Sequence, residues 1–259
     1  MDINVDMGES FGRYNLGNDE EVMKYITSAN VACGFHAGDP LVIYETVRLA
    51  KKYGVAVGAH TGLPDKQGFG RRRMDITPEE LRTDTLYQLG ALEAFLKVNQ
   101  MEMQHVKPHG ILYRMVAEDE SYAEAFLSAI SLYNPNLYIF IQKDTLIWER
   151  GIKMGLKMSA EILVDLSYDD EGNWVLERKK KPRTPEEVAG RAIMVAREGQ
   201  ITTISGNKIS AEAETICCHG DSPNAAEVVK KIKEEFERLG IPLVKVSKKK
   251  TKQSLIGRA

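Results

Sequence analysis

Much is missing from this chain of 259 residues, and each absence narrows what it can be. Three cysteines, Cys33, Cys217 and Cys218, are too few and too irregularly placed for a disulfide framework, and no CxxC pair offers a zinc knuckle. Adjacent Cys217 and Cys218 on one strand would point to opposite faces, so reduced, mostly buried thiols are expected. No apolar run approaches the roughly 18 residues of a membrane span. Charge is nearly balanced, at 35 Lys and Arg against 37 Asp and Glu, so the basic footprint of a nucleic-acid binder is absent. No GxxxxGK(S/T) phosphate loop occurs, and no GxGxxG follows a strand. The chain opens at once on an alternating strand, so no secretory leader is expected, and the expected compartment is the cytoplasm.

What is present is a hydrophobic fraction of 43%, enough for a substantial core. Short β-branched segments alternate with stretches of helical period. The strand candidates are Asp2–Asp6, Ser28–Cys33, Ala56–His60, His105–His109, Leu137–Gln142, Ser159–Asp165 and Thr215–His219. Asp39-Pro40, Thr77-Pro78, Thr184-Pro185 and Ser222-Pro223 each set a capping side chain before a proline suited to the first helical turn. Apolar stripes at Tyr122, Phe126, Ile130 and Tyr133, and at Ala225, Val229, Ile232, Phe236 and Leu239, read as core faces of helices.

Strand–helix alternation repeated about seven times, without a Pro/Ser/Gly-rich linker, predicts one parallel α/β domain over residues 1–246. An open doubly wound sheet and a closed TIM-like (β/α)7 barrel both fit. Polar motifs sit at too many strand ends for a single crevice, which favours the barrel. The basic loop Glu177–Arg183 and the basic tail 247–259 read as solvated surface.

Parallel α/β folds place their chemistry after the C-terminal ends of strands. Five strand ends here carry polar, Gly-flanked motifs, and they hold four of the five histidines. Asn4, Asp6 and Glu9 come from the first; Asn4 and Asp6 share a face, and two carboxylates near a strand end suit general-base work or metal binding. His36 projects from the second, Gly34-Phe35-His36-Ala37-Gly38-Asp39, where Asp39 reads as a helix cap. His60 ends the third strand ahead of a loop with Arg71 and Arg72, which could clamp a carboxylate or phosphate. Lys107 and His109 share a face on the fourth, and a lysine there for packing alone would be unusual. His219 and Asp221 form the fifth. It echoes the second, and both turns are expected to aim helix N-terminal amides at an anionic ligand. Glu161 and Asp165 could add a further carboxylate, while His105, at a strand start, is set aside.

The blocks DINVDMGESFG, NVACGFHAGDP, GAHTGLPD with QGFGRR, VKPHGILY and TICCHGDSP resemble the LamB/YcsF family, in the family's order and over residues 2 to about 240. That family is the first, barrel-forming component of the prokaryotic ATP-dependent 5-oxoprolinase. The resemblance implies a barrel of the glycoside hydrolase/deacetylase type and ring opening of 5-oxo-L-proline to L-glutamate coupled to ATP hydrolysis. It also implies two further subunits that activate the substrate with ATP, which agrees with the missing phosphate loop. On this reading Asp6, Glu9, His36, His60, His109 and His219 carry the acid–base chemistry. Asn4, Arg71, Arg72, Lys107, Glu161 and Asp221 hold substrate. Thr61 and Leu166 depart from the family's usual Pro and Arg, and Leu166 bears on substrate choice.

Two other readings stay open. A metal-dependent deacetylase or related amide hydrolase would use Asp6 with two or three of His36, His60, His109 and His219 as ligands of a divalent metal such as Zn²⁺. A non-catalytic protein that binds a small acid would need none of this titratable density.

Overall fold

The computed structural model describes residues 1–175 and 183–247. Most of the basic loop at 177–183 and the tail from 248 onward lie outside the described residues. The described strands are β1 (Asp2–Met7), β2 (Ser28–Ala32), β3 (Ala56–Thr61), β4 (Met103–Pro108), β5 (Tyr138–Ile141), β6 (Lys157–Leu163), β7 (Gln200–Thr202), β8 (Lys208–Ser210) and β9 (Thr215–His219). The described helices are α1 (Asp19–Val22), α2 (Pro40–Tyr53), α3 (Pro78–Val98), α4 (Gly110–Glu118), α5 (Glu120–Tyr133), α6 (Leu146–Lys153), α7 (Pro185–Glu198) and α8 (Ala225–Arg238).

Seven strands close a parallel barrel in the order β1-β2-β3-β4-β5-β6-β9, with β9 returning to β1. This is the TIM-like (β/α)7 architecture expected from the alternation. The strand-to-helix crossovers cover the outside of the sheet. Every second residue of a strand faces the helices, and these positions are apolar and buried: Ile3, Val5 and Met7 on β1, Val57 and Ala59 on β3, Ile139 and Ile141 on β5, Ile216 and Cys218 on β9.

The intervening residues face the barrel interior and are mostly polar, with Phe140 and Leu163 among the apolar exceptions. Asp2, Asn4 and Asp6 stand one above another on β1. Asn4 donates through Nδ2 to Glu161 at 3.0 Å and Thr215 at 2.7 Å, and its Oδ1 accepts from Asn30 at 2.7 Å. Below it the Asp2 carboxylate accepts from the hydroxyls of Thr27, Ser28 and Thr215. Gly58 shows why a glycine belongs in β3. A Cβ there would lie 2.2 Å from the ring of His105, which fills the barrel beside it and stacks on Phe140.

The helix caps follow the sequence with one exception. Asp39 accepts from the amides of Leu41 and Val42 to start α2, and Gly54 ends that helix in the left-handed conformation. Thr77 and Glu80 form a full capping box on α3, and Thr184 caps α7. Ser222-Pro223 does not open a helix, because α8 begins later, at Ala225 after Asn224, with no side-chain cap. Asp39 also bonds the Gly12 amide, so the first turn of α2 is already satisfied rather than offered to a ligand.

The antiparallel hairpin β7–β8 was not expected. Strands of three residues carry too little alternation to stand out. It supports the loop after β6: the Ile204 amide donates to the Tyr168 carbonyl, and Thr203 bonds Asp170. Arg191 of α7 holds the same loop from below through the carbonyls of Val164 and Leu166.

Candidate active site

The C-terminal ends of β1, β3, β4, β6 and β9 converge on one pocket lined by Asp6, His60, Arg71, Lys107, His109 and His219 on its polar side. Tyr113, Leu163, Leu166 and Trp174 form the apolar side. Trp174 comes from the loop after β6 and stands edge-on to Tyr113. Leu166, where the family resemblance leads one to expect an arginine, thus adds hydrocarbon to the wall.

Lys107 anchors the floor. Its ammonium is 2% exposed and lies 2.8 Å from Asp6 Oδ1, 2.8 Å from Cys217 Sγ and 3.4 Å from Glu161 Oε1. Burial works against this charge, but the carboxylates of Asp6 and Glu161 overcome it and hold the Lys107 amine well above its usual range. Asp6 shows the converse. Burial favours its neutral form, yet the adjacent His60 ring and the Lys107 ammonium keep its carboxyl well below the ordinary value. Burial also pushes the Cys217 thiol well above its usual range, so it stays protonated beside the lysine.

His219 is the most open of the four strand-end histidines, with a side chain 15% exposed. Its Nδ1–H donates to the Asp165 carboxylate at 3.0 Å, and its main-chain amide donates to the same group at 3.0 Å. That fixes the tautomer and leaves Nε2 bare toward the pocket, 3.9 Å from Asp6 Oδ2. Asp165 was legible only as a spare carboxylate on the sixth strand; its pairing with His219 gives it a role.

His36, His60 and His109 form a second group with Glu9, deeper on the β1–β4 side. His36 and His109 stack with ring centroids 3.7 Å apart, and His60 meets both edge-on. His36 Nε2 lies 3.3 Å from Glu9 Oε1, and His109 Nδ1 lies 2.9 Å from His60 Nε2. Burial, reinforced by the repulsion that a second charged ring would meet in this cluster, pushes His36 and His109 well below the usual histidine range. Gly62 leaves room for His36, since a Cβ there would stand 2.5 Å from its Nδ1. Thr61 ends β3, and its carbonyl accepts the His109 amide at 2.8 Å. His109 itself lies one residue past β4, at the start of α4, rather than within the strand.

Several residues expected to meet substrate sit elsewhere. Asn4 and Glu161 are fully buried beneath the pocket floor, where they support Lys107 and Asn30. Arg72 does not line the pocket. Its guanidinium, 62% exposed, is paired with Asp65 in its own loop. Arg71 does line it, stacks over Phe69 and reaches Asp221 at 2.7 Å across the mouth. His105, set aside in the sequence, is buried inside the barrel and bonds Asn30 Oδ1 at 2.7 Å. Asn30, which also donates to Asp6 at 2.8 Å, carried no signal beyond its period-two spacing from Ser28.

Donor atoms of Glu9, His36, His60 and His109 all lie within 4.8 Å of one another, as do those of Asp6, Cys217 and His219. Buried imidazoles and carboxylates clustered this way fit a divalent cation as well as a proton relay.

A closed parallel barrel with a buried Lys–Asp floor and an Asp-oriented histidine at its C-terminal mouth defines an α/β-barrel enzyme. The chain belongs to the LamB/YcsF family, whose model matches residues 1–251. It is 49% identical over 246 residues to the A-type subunit of 5-oxoprolinase from Thermococcus onnurineus, covering 94% of this chain and 96% of the relative. It is 45% identical over 250 residues to the protein of the same description in Clostridium beijerinckii, covering 96% and 98%. Among solved structures, the lactam utilization protein from Thermus thermophilus superposes with a TM-score of 0.88 at 41% identity, over 93% of this chain and 98% of that one.

Proposed function

We propose that this chain is the barrel subunit of a multi-subunit 5-oxoprolinase, which opens 5-oxo-L-proline to L-glutamate at the expense of ATP. The observation that carries this reading is the Asp165–His219 pair, aimed at a pocket floored by Lys107 and Asp6 and rimmed by Arg71. Relatives described as the corresponding 5-oxoprolinase component support the substrate, and a related lactam utilization protein supports the cyclic amide.

A lactam carbonyl is a poor electrophile, and phosphorylation of its oxygen by ATP makes the ring carbon open to water. Two further subunits bind ATP and carry out that activation, and this chain hydrolyses the activated ring. His219 Nε2 takes a proton from water as the oxygen attacks the ring carbon. The carbon–nitrogen bond then breaks, the nitrogen receives that proton, and the γ-acyl phosphate left behind is hydrolysed by a second water to the glutamate carboxylate and inorganic phosphate. Asp165 holds the imidazole in register and stabilises its charged form. Lys107 offers positive charge where negative charge develops. Arg71 takes the substrate carboxylate, exchanging it for Asp221.

A second reading, a metal-dependent deacetylase or other amide hydrolase, is favoured by the donor cluster of Glu9, His36, His60 and His109. A divalent ion held there would polarise a carbonyl or lower the pKa of water. Among the described residues no helix is long and apolar enough to cross a membrane. Three buried thiols fit a reducing compartment, and we place the enzyme in the cytoplasm.

The test is ATP-dependent hydrolysis of 5-oxoproline with both partner subunits present and then with each omitted. Turnover is expected only in the full set. ATP-dependent turnover by this chain alone would overturn the division of labour, and deacetylase activity without ATP would favour the second reading.

A further inference from the structure

The hydrogens of two buried rings are fixed by what lies behind them. His60 turns Nδ1 to the main-chain carbonyl of Lys107 at 3.1 Å, and His109 turns Nε2 to the carbonyl of Phe69 at 2.8 Å. A carbonyl oxygen only accepts, so each of those nitrogens carries the ring hydrogen. Without a second hydrogen, His60 and His109 present bare lone pairs at Nε2 and Nδ1, and these two atoms face each other 2.9 Å apart, with Asp6 Oδ2 3.3 Å from the same His60 nitrogen. Opposed lone pairs repel at that distance. The arrangement calls for a positive centre between or beside them.

Glu9 supplies negative charge at the same place, with Oε1 3.7 Å from His109 Nδ1. The role of His36 follows from its other nitrogen. His36 Nδ1 is buried without a hydrogen-bond partner, so the neutral ring keeps its hydrogen on Nε2 and donates it to Glu9 at 3.3 Å. His36 therefore orients the carboxylate and does not offer a lone pair of its own.

We propose that His60 Nε2, His109 Nδ1 and the Glu9 carboxylate bind one divalent transition-metal cation, with His36 and the carbonyls of Lys107 and Phe69 as the outer groups that set its ligands. Metal–nitrogen bonds of about 2.0–2.1 Å let both ring nitrogens reach one ion with little movement. Two imidazoles and one carboxylate select zinc, cobalt, nickel or iron over magnesium or calcium. Carbonyls that fix the far nitrogen of each ring are the usual outer partners of metal-binding histidines. Three protein ligands leave a position for water, next to the pocket that His60 and His109 line. The site differs from the one the sequence suggests: Glu9 replaces Asp6, whose Oδ1 is taken by Lys107 and Asn30 and whose Oδ2 lies between His60 and His219, at 3.3 and 3.9 Å from their Nε2 atoms. It holds whatever substrate the pocket takes.

The test uses the full chain purified without a polyhistidine tag, stripped with EDTA and titrated with Co²⁺ and Zn²⁺, with no substrate or partner protein present. Binding of about one Co²⁺ per chain, with visible d–d absorption displaced by Zn²⁺, is expected. His109→Ala and Glu9→Gln should weaken binding at least about a hundredfold, and His36→Phe, which keeps the ring stack, roughly tenfold to a hundredfold. Circular dichroism separates loss of the ion from loss of fold. Should a variant not fold, ¹⁵N spectra of the wild-type histidines serve instead: Zn²⁺ should shift His60 Nε2 and His109 Nδ1 most. A folded, stripped wild type that takes up neither ion at micromolar concentration overturns the proposal. So does uptake unchanged by folded His109→Ala and Glu9→Gln, or zinc shifts centred on other nitrogens.

Discussion

On the outer face of the barrel sheet stand Ile3, Val5, Met7, Val57, Ile139 and Ile216; on the inner face of the same strands stand Asp2, Asn4, Asp6, His60, Lys107 and Glu161. Both sets are almost wholly buried, so depth does not distinguish them. The outer face is stabilised by area removed from water, about 1.5–3 kcal/mol for each large side chain, and tolerates any neighbour of similar volume. The inner face is held by complementary partners, where every donor needs its acceptor and every charge its opposite. Cohesion of the fold and readiness of the site are thus separated by the thickness of one strand.

Lys107→Met should give the largest effect. It leaves Asp6 and Glu161 buried without their countercharge, which costs about 3–5 kcal/mol when one partner of a buried pair is removed. Denaturant titration should register that loss, and turnover in the full complex should vanish. Ile216→Ala probes the other face. It should cost about 2–5 kcal/mol in the same titration, while turnover per folded molecule stays near that of the wild type. A fall in turnover matching that of Lys107→Met would erase the distinction between the faces.

Acid should act on the inner face first. Burial and then the nearby Lys107 push His105 down to about 3 from an ordinary 6.5, and burial pushes His36 and His109 well below that value too. Their folded values are depressed, so the stability they confer is complete above about 6.5 and declines as pH falls, because only the unfolded chain takes up the protons. Each such proton is worth about 1.4 kcal/mol per pH unit. Urea midpoints measured from pH 7.5 to 4.5 should fall; a flat profile would mean these rings are not buried neutral. The smallest effect is expected from Arg72→Ala, a urea midpoint close to that of the wild type with KM unaltered. Arg71→Ala in the same assay should raise KM, and equal behaviour of the two arginines would remove Arg71 from substrate binding.

The outer face was legible in the sequence, because β-branched alternation and capped, periodic helices report local geometry directly. The strand-end histidines were legible for a related reason, since parallel strands deliver their C-terminal residues to one place. Depth was not. Asn4 and Asp6 share a face, but which of them reaches the pocket depends on how the closed sheet staggers its strands. Adjacent Arg71 and Arg72 differ only in the path of their loop, and sequence spacing does not record it. His105 looked like an ordinary strand start, and only Gly58 opposite, paired with it in register, marks the space its ring occupies.

The alternation on β1 also acts as a check on assembly. A slip of one residue against β2 or β9 would turn Asp2, Asn4 and Asp6 into the helix layer and Ile3, Val5 and Met7 into the polar column, so both layers would fail together. A mispaired barrel of this sequence has no partly correct form in which to linger. The polar column that fills the finished barrel serves as its proofreading while the strands are still finding one another.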